Sequence, residues 1–173
     1  MKTEIIDSSA RSWRSLAQLM TECFPYMPRA ARDYAIRSYI PGTRILLLQG
    51  KMVGVSMMAP PRPERPMTAW LEFIGIAPTH RGQGLGTLLL NDFEAQAADF
   101  GFTAIELAAD PGDPRAVSFY QARGYRSISH DGINLCFHKD LPPKLRRTPR
   151  RYSPPGTPLR VWRAAVFRVI LGI

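Results

Sequence analysis

The most constraining feature of this chain is an apolar run, Ala69–Ala77, closed by Pro78 and followed at once by a glycine-rich turn, Arg81-Gly82-Gln83-Gly84-Leu85-Gly86. The run is apolar on both parities except at Glu72, the pattern of a central strand covered on both faces. Beyond the turn, Leu85, Leu88, Leu89, Phe93, Ala97 and Phe100 fall at helical spacing, with a stop near Gly101. A strand that needs cover on both sides, entering a helix through glycines, calls for a layered arrangement of sheet and helices.

Such a turn has a physical use. Unpaired N–H groups at a helix N-terminus, together with the positive end of its dipole, favour a bound phosphate. Glycines let the backbone turn tightly and approach a ligand without a Cβ in the way. Arg81 adds a full positive charge at the entrance. The competing reading is a tight turn whose small residues serve helix packing. A P-loop is excluded, because Leu85-Gly86-Thr87 offers no lysine where that motif needs one. A dinucleotide fold places its glycine turn early in a βαβ unit, whereas this turn follows several antiparallel-looking strands.

Those strands and their helices alternate along the body. Thr3–Ile6 reads as a short strand, and Asp7-Ser8-Ser9 as caps for a helix carrying Trp13, Leu16, Ala17, Met20 and Phe24. A second helical stretch covers Arg29–Ser38, and 44–48 pairs with 53–58 as a hairpin across Gln49-Gly50-Lys51-Met52. The prolines of 60–66 make that segment a surface loop. Ala104–Ala108 is a further strand, and Asp113-Pro114 starts a helix with Ala116, Val117, Phe119 and Tyr120, ending at Arg123-Gly124. Tyr125–Ser129 and Ile133–Lys139 flank the turn signal Asp131-Gly132.

Residues 76–86, IAPTHRGQGLG, resemble the signature of the GCN5-related N-acetyltransferase (GNAT) superfamily, a branched residue and proline before Arg-Gly-x-Gly-x-Gly. Residues 113–125, DPRAVSFYQARGY, are similar to that family's second stretch, an Asn-x-x-Ala helix with aromatic-Tyr and a closing Gly-aromatic. The two occur in the family's order and separation, and the resemblance covers residues 2–141. It implies an α/β (α+β) acyl-CoA N-acyltransferase fold: a mixed central sheet, helices on both faces, and two splayed parallel strands that admit acetyl-CoA.

On this chain the splayed strands would be Ala69–Ala77 and Ala104–Ala108. The resemblance puts the pantetheine arm against the backbone of Phe73, Ile74, Gly75 and Ile76, and the pyrophosphate on Arg81, Gly82, Gln83, Gly84, Leu85 and Gly86, with Thr87 beside them. It implies direct attack of an amine on the thioester. Tyr120 matches the family's acid at the sulfur; the competing reading is an amphipathic ring packed in the core. Glu72 is the candidate base, since burial in an apolar strand raises a carboxyl toward useful values, with Glu106 on the facing strand in reserve. A salt bridge or a sheet-edge position would equally account for Glu72. The family's second stretch opens with Asn, where this chain has Asp113, which the resemblance places among the cofactor-binding residues. Aspartate caps a helix as well. It cannot donate to the cofactor, and its charge sits poorly beside phosphate. The alternative from another class is a non-catalytic acyl-CoA-binding module.

The net charge of +9 does not describe this body. Residues 1–140 hold 15 Lys/Arg against 14 Asp/Glu, and the remaining excess lies in 141–173, which carries no acid. Basicity there gives no reason to expect nucleic acid. The chain divides into a 1–141 acetyltransferase domain and a 142–173 extension. The extension is a Pro/Arg-rich linker, then an amphipathic helix with Arg160, Arg163 and Arg168 opposite Trp162, Val166 and Ile170. Its apolar face needs cover from the body, from a second copy in a homodimer, or from an anionic membrane surface contacted through 158–173. The histidines and the two cysteines lack metal-ligand spacing, so no metal is expected. No apolar signal core opens the chain, so the expected location is cytoplasmic, or peripheral at a membrane's inner face.

Overall fold

Seven strands, the central ones rich in aliphatic residues, pair into one sheet of order β1-β2-β3-β4-β5-β7-β6. The computed structural model describes residues 2–8 and 13–142. The elements are β1 (Thr3–Asp7), α1 (Trp13–Cys23), α2 (Arg29–Tyr39), β2 (Thr43–Leu48), β3 (Lys51–Ala59), β4 (Thr68–Ile76), α3 (Leu85–Asp99), β5 (Ala104–Ala109), α4 (Pro114–Gln121), β6 (Arg126–His130) and β7 (Leu135–Asp140). β4 and β5 run parallel and the other neighbours antiparallel. The expected tail helix and its possible covers lie outside the described residues. No helix among the described residues is long and apolar enough to cross a membrane.

The β4–β5 ladder is short. It joins Thr68 to Ala104 and stops at Leu71 opposite Leu107, while β4 continues to Ile76 and β5 to Ala109. At that point Met58 pairs with Leu71 and Met57 with Phe73, so Glu72 is an extra residue, a β-bulge that bends β4 away from β5. The backbone of 73–76 remains paired to β3 on one side and, with Glu72, is unpaired on the β5 side.

Both faces of the sheet are covered, as the unbroken apolarity of β4 demands. On one face Ile74, Ile76, Leu107 and Phe137 pack with Leu89, Phe93 and Tyr120 from α3 and α4. On the other, Val55, Met57 and Phe73 pack with Leu16, Met20 and Ile36 from α1 and α2. A Cβ on Gly75 would stand 2.8 Å from the Phe24 ring and 2.9 Å from the Cys23 Cβ, so the missing side chain is what lets the end of α1 close on β4. Arg44 ties edge to centre, with Nε donating to Asp92 on α3 at 2.8 Å and a guanidinium nitrogen to Asp7 on β1.

Two local expectations need correction. Leu88 is 40% exposed, and Leu90 takes its place in the core. At 100° per residue Leu90 falls nearer the mean direction of Leu85, Leu89, Phe93 and Ala97 than Leu88 does. The β2–β3 connection is a two-residue turn, with Gln49 at φ 52° and Gly50 at φ 80°, so Lys51 and Met52 already belong to β3. Positive φ at both turn positions matches the strands' twist.

Candidate active site

The turn into α3 has the geometry that its glycines suggest. Pro78–His80 forms a single 3₁₀ turn, Arg81 donates from Nε to the Ile76 carbonyl at 3.1 Å, and Gly82 and Gly84 take φ of 74° and 76°. Gly84 is the N-cap residue, and α3 opens without a side-chain cap. A Cβ on either glycine would meet nothing within 4 Å, so the turn faces open space. The glycines are needed for backbone conformation and for approach by something else.

That space is an open cavity of about 590 Å³. One wall is Ile76, His80, Arg81, Gly82, Gly84, Leu85, Gly86 and Thr87; the other is Arg115, Phe119 and Arg123, from α4 and the turn after it. Arg123 lies over the Phe119 ring at 3.7 Å, donates to the Phe119 carbonyl at 2.8 Å and reaches the Thr87 hydroxyl across the cavity. Its buried Nε has no partner among the described residues. Three arginines beside a helix N-terminus without a side-chain cap are groups that favour an anion. Ile76, the last residue of β4, lines this cavity, so the β4 edge unpaired by β5 ends at it, and that one-sided backbone can hydrogen-bond an extended arm. These residues fit acyl-CoA.

Not every expected contact is on this wall. Gln83 is exposed and stands off the cavity, and the Ile74 side chain is buried under α3, which leaves only its backbone to face the gap. Asp113 is spent on capping: its Oδ1 accepts from the N–H groups of Arg115 and Ala116 at 3.1 and 3.2 Å. Arg115, Phe119 and Arg123 were not foreseen as site residues. Their spacing of four along one helical face is the sequence signal that could have found them.

The two candidate catalytic side chains flank the point where the ladder stops. Glu72 follows Leu71, the last β4 residue paired to β5, and accepts a 2.7 Å hydrogen bond from the indole of Trp70 on the α1/α2 face. Burial pushes its carboxyl above the ordinary range, while the Trp70 hydrogen bond and the charge of Arg62 pull the other way. Tyr120 lies on the opposite face, 1% exposed, its ring 5.7 Å from that of Phe137 and 5.5 Å from that of Tyr125. Phe137 pairs with Leu107, the last β5 residue of the parallel ladder, so both side chains stand at the same level of the sheet. Burial raises the Tyr120 phenol well above its ordinary value. Glu106 is only 3% exposed and engaged by Arg65 and by His138 Nδ1 at 3.1 Å, so it already has a structural occupation.

Residues 13–125 match the model of the Acetyltransferase (GNAT) family. An L-2,4-diaminobutyric acid acetyltransferase from Nocardia farcinica (strain IFM 10152) is 32% identical over 83 residues, 47% of this chain and 42% of that relative, so the match spans less than half of the relative's length. The fold is similar to PaiA N-acetyltransferase from Thermoplasma acidophilum in complex with coenzyme A, with a TM-score of 0.66 and 15% identity over 81% of this chain and 99% of that one. It is equally similar to the ribosomal-protein-S18-alanine N-acetyltransferase of Escherichia coli, with a TM-score of 0.66 and 16% identity over 87% of this chain and all of that one.

Proposed function

The chain belongs to the GNAT acetyltransferase family, and from that premise we propose that it transfers an acetyl group from acetyl-CoA to a primary amine by direct attack. The observation that carries this reading is that the three-arginine cavity reaches Ile76, the end of the β4 edge left unpaired by β5, with Glu72 and Tyr120 on opposite faces where the ladder stops.

Each group has a part. The N–H groups of the α3 turn, with Arg81, Arg115 and Arg123, hold the diphosphate, and the free edge of 72–76 aligns the pantetheine arm. Backbone N–H groups near Ile74–Ile76 supply the donor for the developing oxyanion. Glu72 takes the amine proton, directly or through water; its raised pKa brings it closer to the strength that this task needs at neutral pH. Tyr120 gives a proton to the departing thiolate. In water that transfer would run slightly uphill, since a phenol titrates near 10 and a thiol near 8.5. Burial disfavours the resulting phenolate as it does the thiolate, so the transfer remains uphill and is drawn forward by collapse of the tetrahedral intermediate to the stable amide.

Release of free thiol from acetyl-CoA in the presence of a panel of primary amines tests the reading, with calorimetric titration of coenzyme A alongside. Turnover with at least one amine, and binding that weakens with salt, are the expected results. Absence of binding at low salt would overturn it.

A further inference from the structure

We infer that Arg62 selects the acceptor, and that the acceptor is an amine carrying a carboxylate or similar anion a few bonds from its nitrogen. This rests on the acetyl-transfer reading above, and it names the substrate class of the same site.

The inference starts from the β3–β4 loop, which is far more ordered than its composition suggests. Pro61, Pro63 and Pro66 each hold φ near −65°. The Arg65 N–H closes a turn on the Arg62 carbonyl at 2.9 Å, and the Thr68 N–H closes the next on Arg65 at 3.1 Å. The Arg65 side chain is pinned to buried Glu106 on β5, and the Met67 carbonyl accepts from the Thr103 N–H at 2.9 Å. The two arginines of the loop are therefore treated differently. Arg65 is neutralised, whereas no carboxylate among the described residues lies within ion-pairing distance of Arg62.

Arg62 is instead held over the Trp70 ring, its Cζ 3.7 Å from the centroid, with its side chain exposed. The same indole donates to Glu72 at 2.7 Å. One aromatic ring thus carries a cation on its face and a carboxylate at its edge. Both stand on the α1/α2 face of the sheet, at the bulge that opens the gap. Coenzyme A occupies the α3/α4 side in the reading above, so the acceptor comes from this face. An amine presented to Glu72 brings whatever it carries alongside Arg62. A guanidinium held over an aromatic face keeps N–H groups at its rim free for a planar anion. A polyamine would meet it with like charge.

The test measures kcat/KM with acetyl-CoA for amino acids of graded amine-to-carboxylate spacing, from glycine to 5-aminopentanoate, each beside its neutral primary amide, with 1,4-diaminobutane as the cationic contrast. The expected result is a preference for at least one acid over its amide by about tenfold or more, with the diamine poorest. In Arg62→Gln that acid-to-amide ratio falls to within about twofold, through KM for the acid, and Arg62→Lys restores part of it. Calorimetric binding of coenzyme A by both variants confirms that they are folded. Equal use of acids and amides by the parent chain, or an unchanged ratio in Arg62→Gln, overturns the inference while acetyl transfer stands. Turnover of no amine at all overturns both.

Discussion

The indole of Trp70 and the carboxylate of Glu72 are joined by a 2.7 Å hydrogen bond between two residues on one strand, immediately before β4 leaves β5. The bond favours the charged carboxylate, against the burial that raises its pKa. With Glu72 as the base, activity falls as pH drops through a value above the ordinary carboxylate range. Trp70→Phe removes the donor and moves that acid limb to still higher pH. Glu72→Gln abolishes the limb and lowers kcat about 100-fold. The pH profile of kcat/KM for the three proteins checks this, and superimposable acid limbs would remove Glu72 from the mechanism.

Tyr120→Phe separates an acid from a packing ring. The ring contacts with Phe119, Tyr125 and Phe137 survive the change. We expect kcat to fall by about 100-fold, the scale of positioned proton transfer, with thermal midpoint and coenzyme A affinity close to those of the parent. A large loss of stability with kcat little changed would assign the hydroxyl a structural part. Full activity would restrict the side chain to packing.

The cradle depends on shape and charge, which two variants separate. Gly84→Ala places a side chain at φ 76° and costs about 1–2 kcal/mol of strain. It clashes with nothing, because the added Cβ has no neighbour within 4 Å. Coenzyme A then binds more weakly because the turn relaxes. Arg123→Ala leaves the turn alone and removes a charge, so affinity drops and its salt dependence becomes shallower. Titrations at two ionic strengths distinguish the pair.

Burial pushes the Cys23 thiol from its ordinary 9.0 up to about 12, against the nearby charge of Arg81. Between those values the folded chain keeps a proton that the unfolded chain releases, so stability falls as pH rises. The slope approaches about 1.4 kcal/mol per pH unit for one such group. The loss from this source sets in within about one unit below pH 9. Denaturant unfolding from pH 8 upward should show the decline, and Cys23→Ala should flatten its first part. Tyr120 and Tyr125, both raised by burial, add to the slope at higher pH. An equal slope in the alanine variant would count against the thiol.

Local chemistry was readable along the chain because it acts over a few residues. The strand–glycine turn–helix passage, the Asp113-Pro114 start of α4 and the apolar parity of β4 each depend on neighbours in sequence, and each has its expected form. Asp113 shows the limit of such reading. The cap was plain, yet the carboxylate is turned to its own helix and away from the cavity.

The amino-acid sequence alone determined most of the elements, the glycine turn and the family, since backbone propensity and capping are decided within a turn or two of helix or strand. Only the tertiary structure decided that a bulge at Glu72 ends the parallel ladder, that Arg115, Phe119 and Arg123 close the far wall of the cavity, and that a loop arginine rests on Trp70. Those relations bring together groups from separate elements, some more than thirty residues apart. No local periodicity records them, because they arise only when packing on both faces of one sheet fixes where each element lies.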